Sequence, residues 1–485
     1  MQRWTTGVKQ PFLAGGWLLA GLVMTGGCSQ LSADDSPLDP DQPVSVTLWH
    51  YYSGQTKEIF DDLASDFNET VGMEKGIVVD ARSQGDVRQL EEAVYDAANE
   101  TMGAQQMPDV FMTYPDNAYR IDALGKLADL KTYFTEEELG AFRDEFLDEG
   151  YLSEDGGLHI IPIAKSSENL YLNQTFFEPF SEETGYTHED LATWEGVLEV
   201  AESYYGWSGG DAFMGIDSDP NFMLVTAMQQ GSELFDYSDS PVSLNMDEDI
   251  ARHIWTYYYE PYIRGHFAKS GRFSSDDAKV GLTIAYTGST AGAVYFPMEV
   301  TLSQDDTREI EVETLPYPYM VDGDRVAVQQ GAGMSVAKST TEHEYASSVF
   351  LKWLTDAEQN VPFAVSTGYF PVKDEALDES VLMTALEERG DDLHPAVPST
   401  VTTTAGMFRD YELYFYRPFP GSAEMRHLLE NHLFSRIERN VVMLEEAGHS
   451  DEEHAAMIAD LTSEEAFHEW YESFLESAEA HMPEN

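Results

Sequence analysis

Cysteine is almost missing: the 485 residues contain one, Cys28. No disulfide can form within the chain, so stability has to come from core burial. With 42% hydrophobic and 12% aromatic residues, a chain of this length can build two or three lobes. Cations are scarce as well. Lys and Arg number 27 against 88 Asp and Glu, a formal charge of −61. That balance excludes a general affinity for nucleic acid or for anionic lipid headgroups. The acidic residues are spread among ordinary core residues and do not form a disordered tail. Such self-repulsion is tolerable when screened, over about 3 Å at 1 M salt, and the expected source is halophilic or alkaliphilic. No GxSxG elbow, HExxH zinc motif or Walker loop occurs. Carboxylate pairs such as Asp61/Asp62, Glu91/Glu92 and Asp276/Asp277 are too common here to point to a glycosidase. No cofactor and no metal is implied. Apart from residues 11–24, no apolar run approaches the roughly 20 residues that cross a bilayer.

That one run has the build of an export signal. Arg3 and Lys9 make a basic start, no acidic residue precedes Asp34, and the apolar stretch PFLAGGWLLAGLVM ends in small residues. Thr25-Gly26-Gly27-Cys28 resembles the lipobox of bacterial lipoproteins, with Thr25 where that family usually has Leu. The resemblance implies a signal peptide over 1–27 and a diacylglycerol on the Cys28 thiol. The protein would then be exported and anchored to the membrane, facing the periplasm or the cell exterior. The signal holds two basic and no acidic residues, so the mature charge would be 25 − 88 = −63. Residues 28–43, acidic and proline-bearing, read as a flexible tether.

Order is expected from Val44. VSVTLW (44–49) alternates like a strand; Ile59, Phe60, Leu63 and Phe67 then share a helical face. GIVVDA (76–81), a helix over 87–102 and the strand PDVFMTY (108–114) continue a β-α-β-α-β order, which predicts a mostly parallel sheet covered by helices. Residues 159–173 read as extended, 192–205 as a helix started by Thr193, 331–338 as a strand, 346–354 as a helix and 367–377 as a loop. In the last helix Thr462 and Glu465 have capping-box spacing, and Phe467, Trp470, Tyr471 and Phe474 form a core-facing stripe.

Seven segments in order are similar to the family 1 extracellular solute-binding proteins of ABC importers, which include maltose-binding and glycerol-phosphate-binding proteins. They are WHYYSGQ (49–55), PDVFMTYPDNAYRIDALGKLADL (108–130), PIAKSSENLYLN (162–173), TWEGVLEVA (193–201), AYTGSTAGA (285–293), GAGMSVAK (331–338) and TGYFPVK (367–373). The resemblance implies an α/β fold of two lobes, with ligand in the cleft between them. Lobe one would be 44–165 plus 334–370, and lobe two 171–330 plus 378–485. Three hinge crossings would lie near 165–171, 330–334 and 370–378. It also implies a binding protein rather than an enzyme. Its partners would be a small-molecule solute, ABC permease subunits with a cytosolic ATPase, and the membrane through the lipid anchor.

Candidate ligand residues follow from the strand ends. Tyr51 and Tyr52 offer faces for a sugar ring, or merely prop their loop. Gln84 and Asp116 follow the second and third strands; Asp116 either reaches ligand or caps a helix. Ser166 and Ser167 stand on the first crossing, where they contact ligand or bond within the hinge. Asp217, Asn221 and Phe222, and Ser289 within the run 287–290, are the candidates from lobe two. Gln330 and Gly331 lead into the second crossing. By resemblance to the glycerol-phosphate-binding type, Tyr369 contacts ligand and Arg417 falls near the phosphate-binding arginine. The alternative for Arg417 is pairing with one of the many carboxylates. A neutral carbohydrate is the favoured ligand and a glycerol-phosphate-like anion the second.

Overall fold

The alternation in Val44–His50 turns Val46 and Leu48 into full burial and leaves Ser45 exposed. The computed structural model describes residues 36–152, 156–238, 241–270, 273–390, 393–446 and 450–483. The expected signal peptide, the lipobox-like stretch at Cys28 and the start of the expected tether lie outside them. Strand 44–50 pairs in parallel with Ile77–Ser83 on one side and Val110–Thr113 on the other. Helices Gly54–Phe67 and Val87–Ala98 connect these strands. The second is closed at its start by a reciprocal cap between Asp86 and Gln89. It stops at Ala98 rather than 102, because Asn99 caps it and Glu100 turns to a positive φ of 55°.

The sheet is not parallel throughout. Gly333–Val336 and Ile161–Pro162 complete it, and both pairings of 333–336 are antiparallel. A second sheet has the order Val312–Leu315, Glu168–Asn173, Ala285–Ser289, Met214–Ile216. Strand 168–173 is buried along its whole length and runs antiparallel to both neighbours; only 214–216 and 285–289 are parallel. Each sheet carries an apolar core. One gathers Leu48, Phe111 and Phe350, the other Trp194, Trp255 and Trp470. Among the described residues no helix is long and apolar enough to cross a membrane.

Residues 159–173 are not one strand. Residues 163–167 leave the first sheet and enter the second, alongside two other segments. Lys165 and Phe370 exchange backbone hydrogen bonds at 2.9 and 2.7 Å, and Ser166 and Gln330 do so at 2.9 and 2.8 Å. Gly331 makes this approach possible. Its φ is +91°, and a Cβ there would lie 2.4 Å from the Ala164 carbonyl. The last helix, Glu464–Glu479, does not begin with the expected Thr462 box. Ser463 caps it by accepting from the Ala466 N–H, while Thr462 closes the preceding helix by donating to the Ile458 carbonyl. The aromatic stripe packs inward as expected, with Phe467, Trp470 and Phe474 buried.

Candidate functional site

Four helices start at one place. Val87–Ala98, Pro115–Asp122, Asp219–Gln229 and Ser422–Glu446 turn their first residues toward a cavity of about 330 Å³ between the two sheets. Helix starts carry unpaired N–H groups and the positive end of the helix dipole, so the cavity favours polar and anionic groups. One wall holds Glu91, Tyr114, Asp116 and Glu149; the other holds Asn221, Gln330, Tyr416 and Arg426.

Arg426 donates to Asn221 Oδ1 at 3.2 Å and sits 6.0 Å from the Tyr416 ring. Arg120, also on the wall, lies 4.0 Å over the ring of Tyr95. Neither guanidinium is spent on a close carboxylate among the described residues. Glu91 is pushed up to about 8 by burial and by the nearby Asp116, against the pull of Arg426 and Arg120. On the same wall, Glu149 accepts from Lys165 Nζ and from Gln329 Nε2, both at 2.6 Å. Lys165 also donates to the Gly331 carbonyl at 2.8 Å.

Glu168, at the start of the connecting strand, accepts from Asn221 Nδ2 at 2.7 Å and from Gln330 Nε2 at 2.6 Å. Burial nonetheless lifts its carboxyl from 4.5 to about 7. Between those values the folded protein holds a proton that the unfolded chain has released. Stability therefore falls as pH rises through this window, by roughly 3 kcal/mol at most, and not further above it. Glu91 titrates in an overlapping range, so the difference between wild type and Glu168→Gln is the informative quantity. Urea unfolding at about pH 5 and pH 8 should show a smaller decline in the variant; equal declines would place the effect elsewhere.

The sequence candidates separate into groups. Asp116 and Gln330 line the cavity. Tyr51 and Tyr369 are half-buried, with Tyr52 between them and the core. Its ring is 5.5 Å from Tyr51, 6.3 Å from Tyr369 and 5.2 Å from Phe60. The Tyr51 hydroxyl meets those of Tyr114 and Tyr369, while that of Tyr52 is buried without a hydrogen-bond partner. Ser167 donates to the Val328 carbonyl at 2.7 Å, and Ser166 is buried in the backbone pairing with Gln330. Gly331 is likewise held against the backbone. Asp217 accepts from the Ser274 N–H at 2.6 Å, and Ser289 accepts through its carbonyl from Tyr171 at 3.2 Å. Gln84 accepts from Gln105 at 3.4 Å, outside the cavity. Phe222 is fully buried against Trp194 and Tyr258. Arg417 pairs with Glu233 and lies 3.9 Å over Tyr237. The cations of the cavity are Arg426 and Arg120, which sequence reasoning missed. A usable signal was present: Arg426 and Glu430 stand one turn apart in a chain poor in cations.

A family profile described as bacterial extracellular solute-binding protein matches residues 62–389. No curated protein matches the sequence. Among solved structures, the chain is similar to the cyclic alpha-maltosyl-1,6-maltose binding protein of Arthrobacter globiformis. Identity is 20% and the TM-score 0.62, over 90% of this chain and 100% of that one. It is similar to UgpB of Mycobacterium tuberculosis in complex with glycerophosphocholine, at 18% identity and a TM-score of 0.62, over 83% and 99%. It is also similar to an ABC substrate-binding protein of Listeria monocytogenes in complex with cycloalternan. There identity is 13% and the TM-score 0.63, over 86% and 99%.

Proposed function

The chain belongs to the bacterial extracellular solute-binding proteins, and we propose from this that it captures a carbohydrate between two lobes and hands it to an ABC permease. The observation that carries the reading is the cavity between the sheets, where four helix starts and side chains from both walls converge. Its volume, about 330 Å³, lies at the small end of the range for small-molecule sites. Two of the similar structures are a maltosyl-maltose binding protein and a cycloalternan complex, which supports a sugar. Tyr114 and Tyr416 supply aromatic surface, and Asp116, Asn221 and Gln330 supply directional hydrogen bonds.

Arg120 and Arg426 favour a second reading, an anionic solute, and the glycerophosphocholine complex supports it. In either case the action is binding without catalysis. Lobe one takes in 44–165 plus 334–370, and lobe two 171–330 plus 378–485. They close about the segments near 165–171, 330–334 and 370–378, because only the closed form lets both walls touch the ligand. The permease then reads the outer rims of both lobes in that form. Lipid on Cys28 holds the protein at the membrane, and the charge of −61 suits salty or alkaline surroundings.

Native mass spectrometry of protein extracted from the membrane fraction tests these statements together. Expected are the mass of the chain cut before Cys28 with an added diacylglycerol, and a retained species differing by an oligosaccharide. A phosphorylated or carboxylated adduct in its place selects the second reading. An uncut chain without lipid would end the anchoring proposal.

A further inference from the structure

Helix Ser422–Glu446 has a second face. Opposite the cleft side it forms, with the last helix Glu464–Glu479, a groove of about 550 Å³. In a chain with 27 Lys and Arg against 88 acids, this groove gathers His427, His432, Arg436, Arg439 and His481. Three buried nitrogens of its lining side chains have no hydrogen-bond partner: His432 Nδ1, Arg436 Nε and Trp470 Nε1. His432 and Arg436 stand one turn apart, and Trp470 faces them from the other helix. Ser473 Oγ lies 3.4 Å from His432 Nε2. With its hydroxyl donating there, Nδ1 carries the imidazole proton. In that tautomer all three orphans are donors, and the acceptors that meet the Arg436 guanidinium, the Tyr259 hydroxyl and Glu469, leave its Nε unanswered. Buried donors are seldom left unanswered.

We propose that this groove is a second binding site, for a small anion carrying a phosphate or carboxylate group. Its oxygens would accept from the three orphan donors, with Arg439 as the outer counter-charge. The acids nearby are partly spent or turned outward. Glu469 lies 3.4 Å from Arg436 Nη2 and is mostly exposed, and Glu430 lies 3.6 Å from His427 Nδ1. Glu424 is the carboxylate on the groove wall. Burial, Arg436 and Arg439 keep His432 below its ordinary pKa, so it enters as a neutral donor near pH 7. The site is independent of the cleft reading, although His427 borders both.

The test follows the indole N–H signal of Trp470 by NMR in the full chain, assigned by its disappearance in Trp470→Phe. Inorganic phosphate is titrated at ionic strength held constant with NaCl, and citrate serves as the carboxylate probe. The signal should move and saturate with at least one of the two. Arg439→Gln should raise the midpoint about tenfold, the loss of one charge-assisted bond. Arg426→Gln, in the cleft, should change it by less than about twofold. A thermal shift with the same anions, reduced in Arg439→Gln, gives the same answer without the Trp470 variant. An immobile signal, a drift without saturation, or an equal response to chloride alone would overturn the proposal. So would a response that Arg426→Gln abolishes and Arg439→Gln leaves intact.

Discussion

Lys165→Ala should cost about 3–5 kcal/mol of folding stability, the largest effect expected of any one side chain here. Lys165 is fully buried, and Glu149 nearly so. Burial alone would strip the charge from both, lowering the lysine pKa and raising that of the carboxyl. Each charge persists because the other stands 2.6 Å away, and because Gln329 and the Gly331 carbonyl supply further hydrogen bonds. Removing the lysine leaves a carboxylate with one amide donor in a dry place. Glu149→Ala leaves the ammonium in the same position. The pair's net worth is much smaller than either loss, since desolvation of both ions offsets their attraction. Lys165→Met with Glu149→Leu should therefore recover most of the stability. Urea unfolding of the two single variants and the double variant gives the coupling energy. Single losses below about 1 kcal/mol, or a double variant as unstable as the sum, would contradict this account.

The position of that pair explains part of what the sequence could not disclose. Lys165 sits in the segment 163–167, which reads as continuous strand because Ile160, Ile161, Ile163 and Ala164 are all apolar. Periodicity reports burial, not which sheet a residue joins. The interruption is caused by pairing with Gln330 and Phe370, more than 160 residues away. The first three strands and their helices were legible, because alternation and helical spacing are local. The antiparallel entry of 333–336 was not, because its direction depends on where the chain returns from the other sheet. Caps show a similar limit. Thr462 and Ser463 are chemically equivalent candidates, and only the end of the preceding helix decides between them. Asp116, named because it follows a strand, where α/β folds place their ligands, and Gln330, named because it leads into the second crossing, both line the cavity. Phe222 was misplaced for a related reason: it follows a strand too, but faces inward from a helix between Trp194 and Tyr258.

Arg426→Ala should weaken ligand binding by roughly 10- to 5,000-fold, whereas Arg417→Ala should leave it unchanged. The two arginines lie nine positions apart and do different work. Arg417 is about 42% exposed, pairs with Glu233 and covers Tyr237. Exposed pairs of this kind contribute about 0–1 kcal/mol of stability. Arg426 faces the cavity, where its only close polar partner among the described residues is the neutral Asn221 side chain. A neutral sugar would lose a charge-assisted hydrogen bond, about 1.5–3 kcal/mol. An anionic solute would lose its counter-charge in a desolvated site, about 2–5 kcal/mol. Salt separates the two cases. With the protein at −61, added NaCl screens repulsion of an anionic solute from afar and also weakens its attraction to Arg426, so affinity varies with ionic strength. A neutral sugar has no charge for salt to act on. Calorimetric titration of the solute retained by the protein, at about 0.1 and 1 M NaCl in wild type and Arg426→Ala, reads both quantities. A salt-independent affinity that drops in the variant supports the carbohydrate. A salt-dependent affinity that loses its salt dependence along with Arg426 supports the anion. Equal affinity in wild type and Arg426→Ala would remove this arginine, and with it the cavity as drawn, from the binding site.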